Sequence, residues 1–355
     1  MKITDVRVRT FGGKLEQVGH VSRGWSERHG LLLEVEDENG TVGIGEASPL
    51  PGYSPDTLED AERDLQRWAT KRMPPISSAP PIAIAATATS WLRSPAARFA
   101  AETAMLDLVA RRRDVALPRL LGEPVSAVPL AALIDGDEPD RAAAQAEAAI
   151  ARGIRTLKLK VSGSTLGGDI DRLAAVREAV GEEVDLRLDA NGTLDPQTLA
   201  GDLDRLATYS PALIEEPVSG KALASVGRSP IPIAVDETLH APGGFDVAIQ
   251  AARRGSLTTI VLKPMVLGLV ACLDTARRAA ALGLDSYLTH SFDGPVALAA
   301  AATAALVMPR PRNSTPLACG LDRHRGLEVW PSTEMSWIEK DRIVENREPG
   351  LGITF

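Results

Sequence analysis

Cysteine is scarce in this chain. The 355 residues hold two, Cys272 and Cys319, with no Cys-x-x-Cys and no partner pattern for cysteine catalysis. That usage predicts a reduced, cytoplasmic protein. Positive charge is also in deficit, with 39 Lys and Arg against 47 Asp and Glu, a net charge of −8. A surface for duplex DNA or for anionic lipid needs clustered Lys and Arg, so neither partner is expected. The one compact basic run, Arg111–Arg113, follows a helical stretch and is expected on its solvated face. A small anionic substrate stays open, because a site can be locally positive. Long apolar runs are missing too. None reaches the roughly 18 residues of a membrane span, and the start, MKITDVRVRTFGG, lacks the apolar core of a signal peptide. The alanine-rich VALAAAATAALV at 296–307 is too short to span and reads as a buried helix. Several motifs are absent as well. There is no Gly-x-Ser-x-Gly. GSTLGG at 163–168 lacks the Gly-Lys-Ser/Thr of a phosphate loop. DGDEPD at 135–140 has Ala146 where a calcium loop needs its twelfth-position Glu.

Apolar residues at 44% and charged residues at 24% are ordinary for a soluble globular protein. The first 46 residues read as antiparallel strands: ITDVRVRTF alternates, and GLLLEVEDENGTVGIGEA does so around an Asn39-Gly40 turn. Helices are expected over 56–71, capped by Asp56, and over 97–112. From about 128 the pattern becomes strand and helix in alternation. VPLAALI, TLKLKV, VDLRLDA, LIEEP, IPIAVDE, TTIVLKP and DSYLTHS each precede a helical segment, for example 138–151, 169–180 and 195–208, with Asp137 a candidate cap for the first of these. This is the signature of a parallel α/β sheet. The expected division is an α+β unit over 1–125, a barrel over 126–320 and a tail over 321–355 that returns to the first unit.

Five charged residues close five of these strands. Lys160, Asp189, Glu215, Asp236 and Lys263 follow one another at intervals of 29, 26, 21 and 27 residues. One strand–helix unit of a barrel takes about 25–30 residues, and residues at the carboxyl ends of its strands converge on one face. Side chains alternate along a strand. Lys158 and Lys160 therefore share a face opposite Leu157, Leu159 and Val161, and Arg187, Asp189 and Asn191 share one opposite Leu186 and Leu188. With the leucines against the helices, the charges point into the mouth. So many charges go inside only when paired or bound to a metal. Asp189, Glu215 and Asp236 are three hard oxygen ligands, suited to Mg²⁺, with Mn²⁺ as a substitute. Asn191 and Glu237 are expected to support them. Lys158 beside Lys160, together with the metal, favours a neutral Lys160 that serves as a base. The five histidines show no metal spacing, and only His290 is expected near a ligand.

Lys158-x-Lys160, Asp189-x-Asn191, Glu215-Glu216-Pro217, Asp236-Glu237 and Lys263-Pro264 together resemble the enolase superfamily, in its muconate-lactonizing branch. Enzymes of that superfamily pair a Lys base with Mg²⁺. The resemblance implies a (β/α)7β modified TIM barrel with an N-terminal α+β capping domain. Within the branch, GIGEASPLPGYSPDTLEDAERDL at 43–65, THSFDGPVAL at 289–298 and CGLD at 319–322 resemble the o-succinylbenzoate synthase family of menaquinone biosynthesis. Gly294-Pro295 stands where a small polar pair is usual, and His290 where a serine is common. The Asp-x-Asp of a dipeptide epimerase is absent from the last strand.

The resemblance implies Mg²⁺-dependent syn loss of water from 2-succinyl-6-hydroxy-2,4-cyclohexadiene-1-carboxylate. Lys160 would take the α-proton and then help hydroxide leave, while Lys263 would stand on the other face as a cation. Thr289, Ser291 and Gly320 would hold the distal carboxylate. The loops at 12–28, with Gly12, Gly13, Gly19 and Gly24, and at 46–54 would form a lid. The alternative in the same branch is an N-acylamino acid racemase, dipeptide epimerase or cycloisomerase, with Lys263 as an acid/base. The oligomeric state is left open.

Overall fold

The computed structural model describes residues 1–15, 25–71, 79–312, 314–331 and 333–353. Three strands open the chain, β1 (Ile3–Lys14), β2 (Glu27–Asp37) and β3 (Val42–Ala47), antiparallel in that order. The β2–β3 turn forms as expected: the Asp37 carboxylate accepts from the amides of Asn39 and Thr41, and Gly40 takes φ +77°. Gly12 and Gly13 are not in a loop. They pair with His29 and Arg28 inside the β1–β2 ladder, where a side chain at Gly12 would run into the Arg28 carbonyl at 2.3 Å. Gly19 and Gly24 lie outside the described residues.

Four helices follow, α1 (Leu58–Thr70), α2 (Pro81–Thr89), α3 (Pro95–Arg112) and α4 (Leu117–Leu121). Thr57, not Asp56, caps α1, in a capping box with Asp60. Asp56 serves the next helix but one, accepting from the Ser94 hydroxyl and from the Ala96 amide at 3.0 Å at the start of α3. Helix α3 is buried nearly all round, and its small residues admit β3 closely. A side chain at Gly45 would meet the Ala100 carbonyl at 2.0 Å. The basic run is solvated as expected at Arg112 and Arg113, but two of its members are paired: Arg111 with Asp107 and the Ile353 carbonyl, and Arg112 with Asp37. Arg112 and Arg113 are exposed, and Arg111 is half-buried.

The chain then runs β4 (Ala127–Pro129), β5 (Ala131–Ile134), α5 (Pro139–Ala151), β6 (Thr156–Lys160), α6 (Leu166–Val180), β7 (Asp185–Asp189) and α7 (Leu199–Ala207). It continues β8 (Leu213–Glu215), α8 (Lys221–Ser225), β9 (Ile233–Val235), α9 (Gly244–Arg253), β10 (Leu257–Leu262), α10 (Pro264–Leu267), α11 (Leu269–Ala281), β11 (Asp285–Leu288) and α12 (Pro295–Val307). From β5 to α12 strands and helices alternate, with two helices between β10 and β11. The N-cap position of α5 is Glu138 rather than Asp137, with no side-chain cap bond.

Strands β5 to β11 make one parallel seven-stranded sheet in chain order. Cys319 and Gly320 join its two edges. Cys319 exchanges backbone bonds with Pro129 and Ala131, while Gly320 does so with Leu288 and His290. The curled sheet is thereby ringed by seven strands and this short eighth segment. Leu157, Leu159, Leu186 and Leu188 are fully buried under the helices, each contributing about 1.5–3 kcal/mol of apolar burial. This leaves the opposite parity to the interior. The tail adds β12 (Ile338–Glu339) and β13 (Arg342–Val344), a hairpin whose β13 pairs with β4. Beyond them the Leu351 amide reaches Asp107 on α3 at 2.7 Å.

Candidate active site

The parallel register aligns the strand-end charges. Lys160 on β6 is paired with Asp189 on β7, and Asp189 with Glu215 on β8. Asp236 and Lys263 follow directly on β9 and β10. A cavity of about 1370 Å³ opens over these ends, and Lys158, Lys160, Asp189, Asn191, Glu237 and Lys263 line it. Glu215 and Asp236 are wholly buried, each holding the ammonium of a lysine that faces the cavity.

Lys158 sits between two carboxylates, 2.9 Å from Asp189 and 2.5 Å from Glu215. Burial alone would lower its pKa, yet these two charges hold it well above the ordinary lysine value. Lys158 is thus a fixed cation. Lys263 is ion-paired with Asp236. Burial opposes its charge, and the Asp236 and Glu237 carboxylates hold its pKa above normal. Burial would raise Asp236, but Lys263 and His240 pull it below the usual carboxylate range. Lys160 makes a different contact, donating to the Asn191 side-chain oxygen at 3.1 Å. Asn191 in turn donates to Glu237 at 3.0 Å. Burial pushes Glu216 up to about 7. It accepts from the Asp236 amide at 2.8 Å and from both donors of Thr238, bracing β8 to the turn after β9.

The donor set suits a hard cation. Asp189 and Glu215 already converge on one, the Lys158 ammonium, and Asp236 Oδ1 is buried with no hydrogen-bond partner. Among the described residues, no three His, Cys, Asp or Glu side chains stand together as a ready-made cage, because each of these acids is turned to a lysine.

The remaining expected residues gather on the far side of the same cavity. Thr289 bridges to Gly320, and Ser291, 4% exposed, has a hydroxyl without a partner. His290 lines the cavity, but so does His324, its ring 4.5 Å from that of His290 and tilted 36° to it. Burial and the neighbouring ring depress His290 well below the ordinary value, and burial brings His324 down to about 4. His240 is a second departure from the sequence reading, at 3.6 Å from Asp236 Oδ1.

Sequence reasoning missed three side chains here. Tyr287 on β11 donates to Glu215 Oε1 at 2.6 Å, with the Arg187 guanidinium 4.2 Å over its ring. Its signal was the alternation in DSYLTHS, which puts it on the parity of Thr289. Tyr53 reaches in from the 46–54 loop and donates to Glu237 at 3.1 Å. Arg172 on α6 lines the cavity and binds the carbonyl of Lys160. Of the expected lid, Leu50, Tyr53 and Trp25 face the cavity, and 16–24 lies outside the described residues.

A parallel α/β barrel with acids and lysines at one mouth is the architecture of a metal-dependent enzyme. A family model described as enolase C-terminal domain-like matches residues 141–355, and one described as MenC, N-terminal domain, matches 17–85. The chain belongs to the enolase superfamily, whose cofactor is Mg²⁺. It is 29% identical to the hydrophobic dipeptide epimerase of Enterococcus faecalis, covering all of both chains. The solved dipeptide epimerase of Methylococcus capsulatus, complexed with Mg and the dipeptide L-Arg-D-Lys, superposes with a TM-score of 0.84 at 28% identity, also over 100% of each chain. The o-succinylbenzoate synthase of Desulfotalea psychrophila is 28% identical over 266 residues, covering 65% of this chain and 70% of that protein. Among the described residues, no helix is long and apolar enough to cross a membrane.

Proposed function

We propose that the protein is a Mg²⁺-dependent epimerase that inverts the carbon next to a carboxylate, with dipeptides as its substrate class. One observation makes a two-base reaction possible. Lys160 ends β6 and Lys263 follows β10, four places apart in a ring of seven strands and one closing segment. Half a ring apart, the two amines flank the cavity from opposite sides. Inversion needs a proton acceptor on one face of the α-carbon and a donor on the other. Dehydration needs only one base. Two lysines so placed also serve a reaction with one base, so the observation that favours inversion over the synthase reading suggested by the motifs alone is the full-length likeness to dipeptide epimerases.

In this reading Asp189, Glu215 and Asp236 hold the metal, with Asn191 and Glu237 keeping their neighbours in place. Mg²⁺, when bound, supplies a Lewis acid for the negative charge that develops on the substrate carboxylate. Lys160 takes the α-proton on its amine nitrogen, and the bond's electron pair passes into the carboxylate as an enolate. The Lys263 ammonium returns a proton to the opposite face, and the roles reverse for the other epimer. Lys158 stays charged and adds a fixed positive field. Thr289, Ser291 and Gly320 meet the distal polar end of the substrate. Residues 1–125 act as the cap, 126–320 as the barrel and 321–355 as the return segment.

A second reading, o-succinylbenzoate synthase, is favoured by the MenC-type match over 17–85. There Lys160 would perform both proton steps and Lys263 would remain a static cation. One experiment separates the two. The protein is incubated in D₂O with Mg²⁺ and L-Leu-L-Tyr, other dipeptides or N-acylamino acids, and in parallel with 2-succinyl-6-hydroxy-2,4-cyclohexadiene-1-carboxylate. Deuterium at the α-carbon with formation of the second epimer, lost in both Lys160→Ala and Lys263→Ala, supports the epimerase. Rapid loss of the diene absorbance with no α-exchange on any amino-acid substrate refutes it in favour of the synthase.

A further inference from the structure

Arg172 makes contacts that the proposed chemistry does not yet use. It projects from α6, with its side chain 13% exposed. One arm donates to the Lys160 carbonyl at 2.7 Å and to Asp169 Oδ1 at 2.6 Å, and the other to the Gly136 carbonyl at 3.0 Å. Gly136 follows the end of β5, and Lys160 is the last residue of β6. One rigid guanidinium thus ties two neighbouring strand ends to a helix. Asp169, 6% exposed, is itself fixed. Its second oxygen accepts from the Ser162 amide at 2.7 Å and from the Thr165 hydroxyl at 3.0 Å. The chain from 160 to 165 is therefore gripped at both ends by a single ion pair.

We infer that Arg172, oriented by Asp169, is a positioning residue that sets the reach of Lys160 into the cavity. Holding the Lys160 carbonyl fixes the Cα from which the long, flexible lysine side chain starts. A guanidinium suits this task because its planar fork spans two acceptors at once, which an ammonium on a flexible stem does not. Lys263, across the ring, has no such clamp on its backbone: its carbonyl accepts only from the amides of Val266 and Leu267 in the following turn, among the described residues. The effect of Arg172 is accordingly confined to one face of the substrate.

This inference rests on the two-base reading above, and the test distinguishes the two. Arg172→Lys, Arg172→Met and Asp169→Asn are made in the full chain, with Lys160→Ala and Lys263→Ala as references. With Mg²⁺ in D₂O, α-proton exchange is followed separately from L-Leu-L-Tyr and L-Leu-D-Tyr. The expected result is a kcat loss of about 100-fold for exchange from the epimer served by Lys160, the size of an ångström-scale misplacement. The Lys263-served epimer should keep its exchange rate, KM should change little, and Arg172→Lys should recover part of the loss. Equal slowing from both epimers, or a rise in KM alone, overturns the inference while leaving the two-base reading intact. A wild-type protein that exchanges neither epimer fails the two-base reading instead. The clamp is then judged by amide exchange: Arg172→Lys should expose 157–166 and leave 257–267 unchanged, and unaltered protection of 157–166 overturns it.

Discussion

Glu102 should leave a clear mark on stability, because its carboxyl is buried far from the cavity chemistry. It lies on α3 at 2% exposure. There it accepts from the Val270 amide at 3.0 Å, at the start of α11, and from Thr89 at 3.4 Å. Burial raises its pKa from 4.5 to about 7, against the Val270 amide and the Arg98 charge, which lower it. An acid whose pKa is raised by folding holds its proton more tightly folded than unfolded. Its contribution is therefore complete below 4.5 and is lost as pH rises through about 7. At 1.36 kcal/mol per pKa unit, the whole loss is about 3 kcal/mol, and about 2.5 kcal/mol of it falls between about pH 5 and pH 8. Glu102→Gln keeps the acceptor and cannot ionise. Urea unfolding of both proteins at these two pH values should show the wild type losing about 2.5 kcal/mol more than the variant on going to pH 8. Other raised acids, such as Asp293 at about 7, are present in both proteins and cancel in the difference. A wild-type–variant difference that stays constant across that range would refute the reasoning.

Two further outcomes follow from buried contacts. Arg28, 2% exposed, spends its guanidinium on the carbonyls of His29, Ser48, Pro49, Ser291 and Phe292. Arg28→Met strands these acceptors and should cost about 3 kcal/mol in urea unfolding; a loss under about 1 kcal/mol would mean water replaces the guanidinium without penalty. Tyr287→Phe frees Glu215 Oε1 from its 2.6 Å bond and should weaken Mg²⁺ binding by about tenfold or more in calorimetry. Unchanged affinity would place Glu215 outside the metal's ligand set.

The strand-end acids and lysines were legible because two independent signals agree on them. Their spacing matches one strand–helix unit each, and the LKLK and LRLD alternation assigns them to one face. A parallel sheet then needs no further information to put Lys160, Asp189 and Glu215 in register. Helix ends were less legible, since neighbouring residues compete on equal terms. Asp56-x-x-Glu59 and Thr57-x-x-Asp60 are both plausible capping boxes. The second wins because Asp56 has a better use at the start of α3, nearly 40 residues on. Gly12 and Gly13 read as loop for a similar reason. Glycine signals close approach as readily as mobility, and only the partner strand decides which.

What stayed hidden were contacts whose two ends carry no local signature. Arg172 sits in LGGDIDRLAAVREAV, where an arginine on an amphipathic helix ordinarily points to water. Its role exists only once the loop 160–165 folds back over the helix start. Tyr53 lies in a turn-rich segment and meets Glu237 across 184 residues of sequence. The substrate is hidden at a deeper level. Inversion and dehydration both begin with removal of an α-proton beside a metal-held carboxylate, so under the proposed roles both use Lys160 and the same three acids. A sequence selected for either reaction shows those residues in the same places. What separates the reactions is whether Lys263 gains and loses a proton or merely carries charge. Asp236 holds Lys263 as an ammonium, which suits a proton donor on the second face and suits a static cation equally. That is why the distinction must be read from the fate of the α-proton rather than from the residues that surround it.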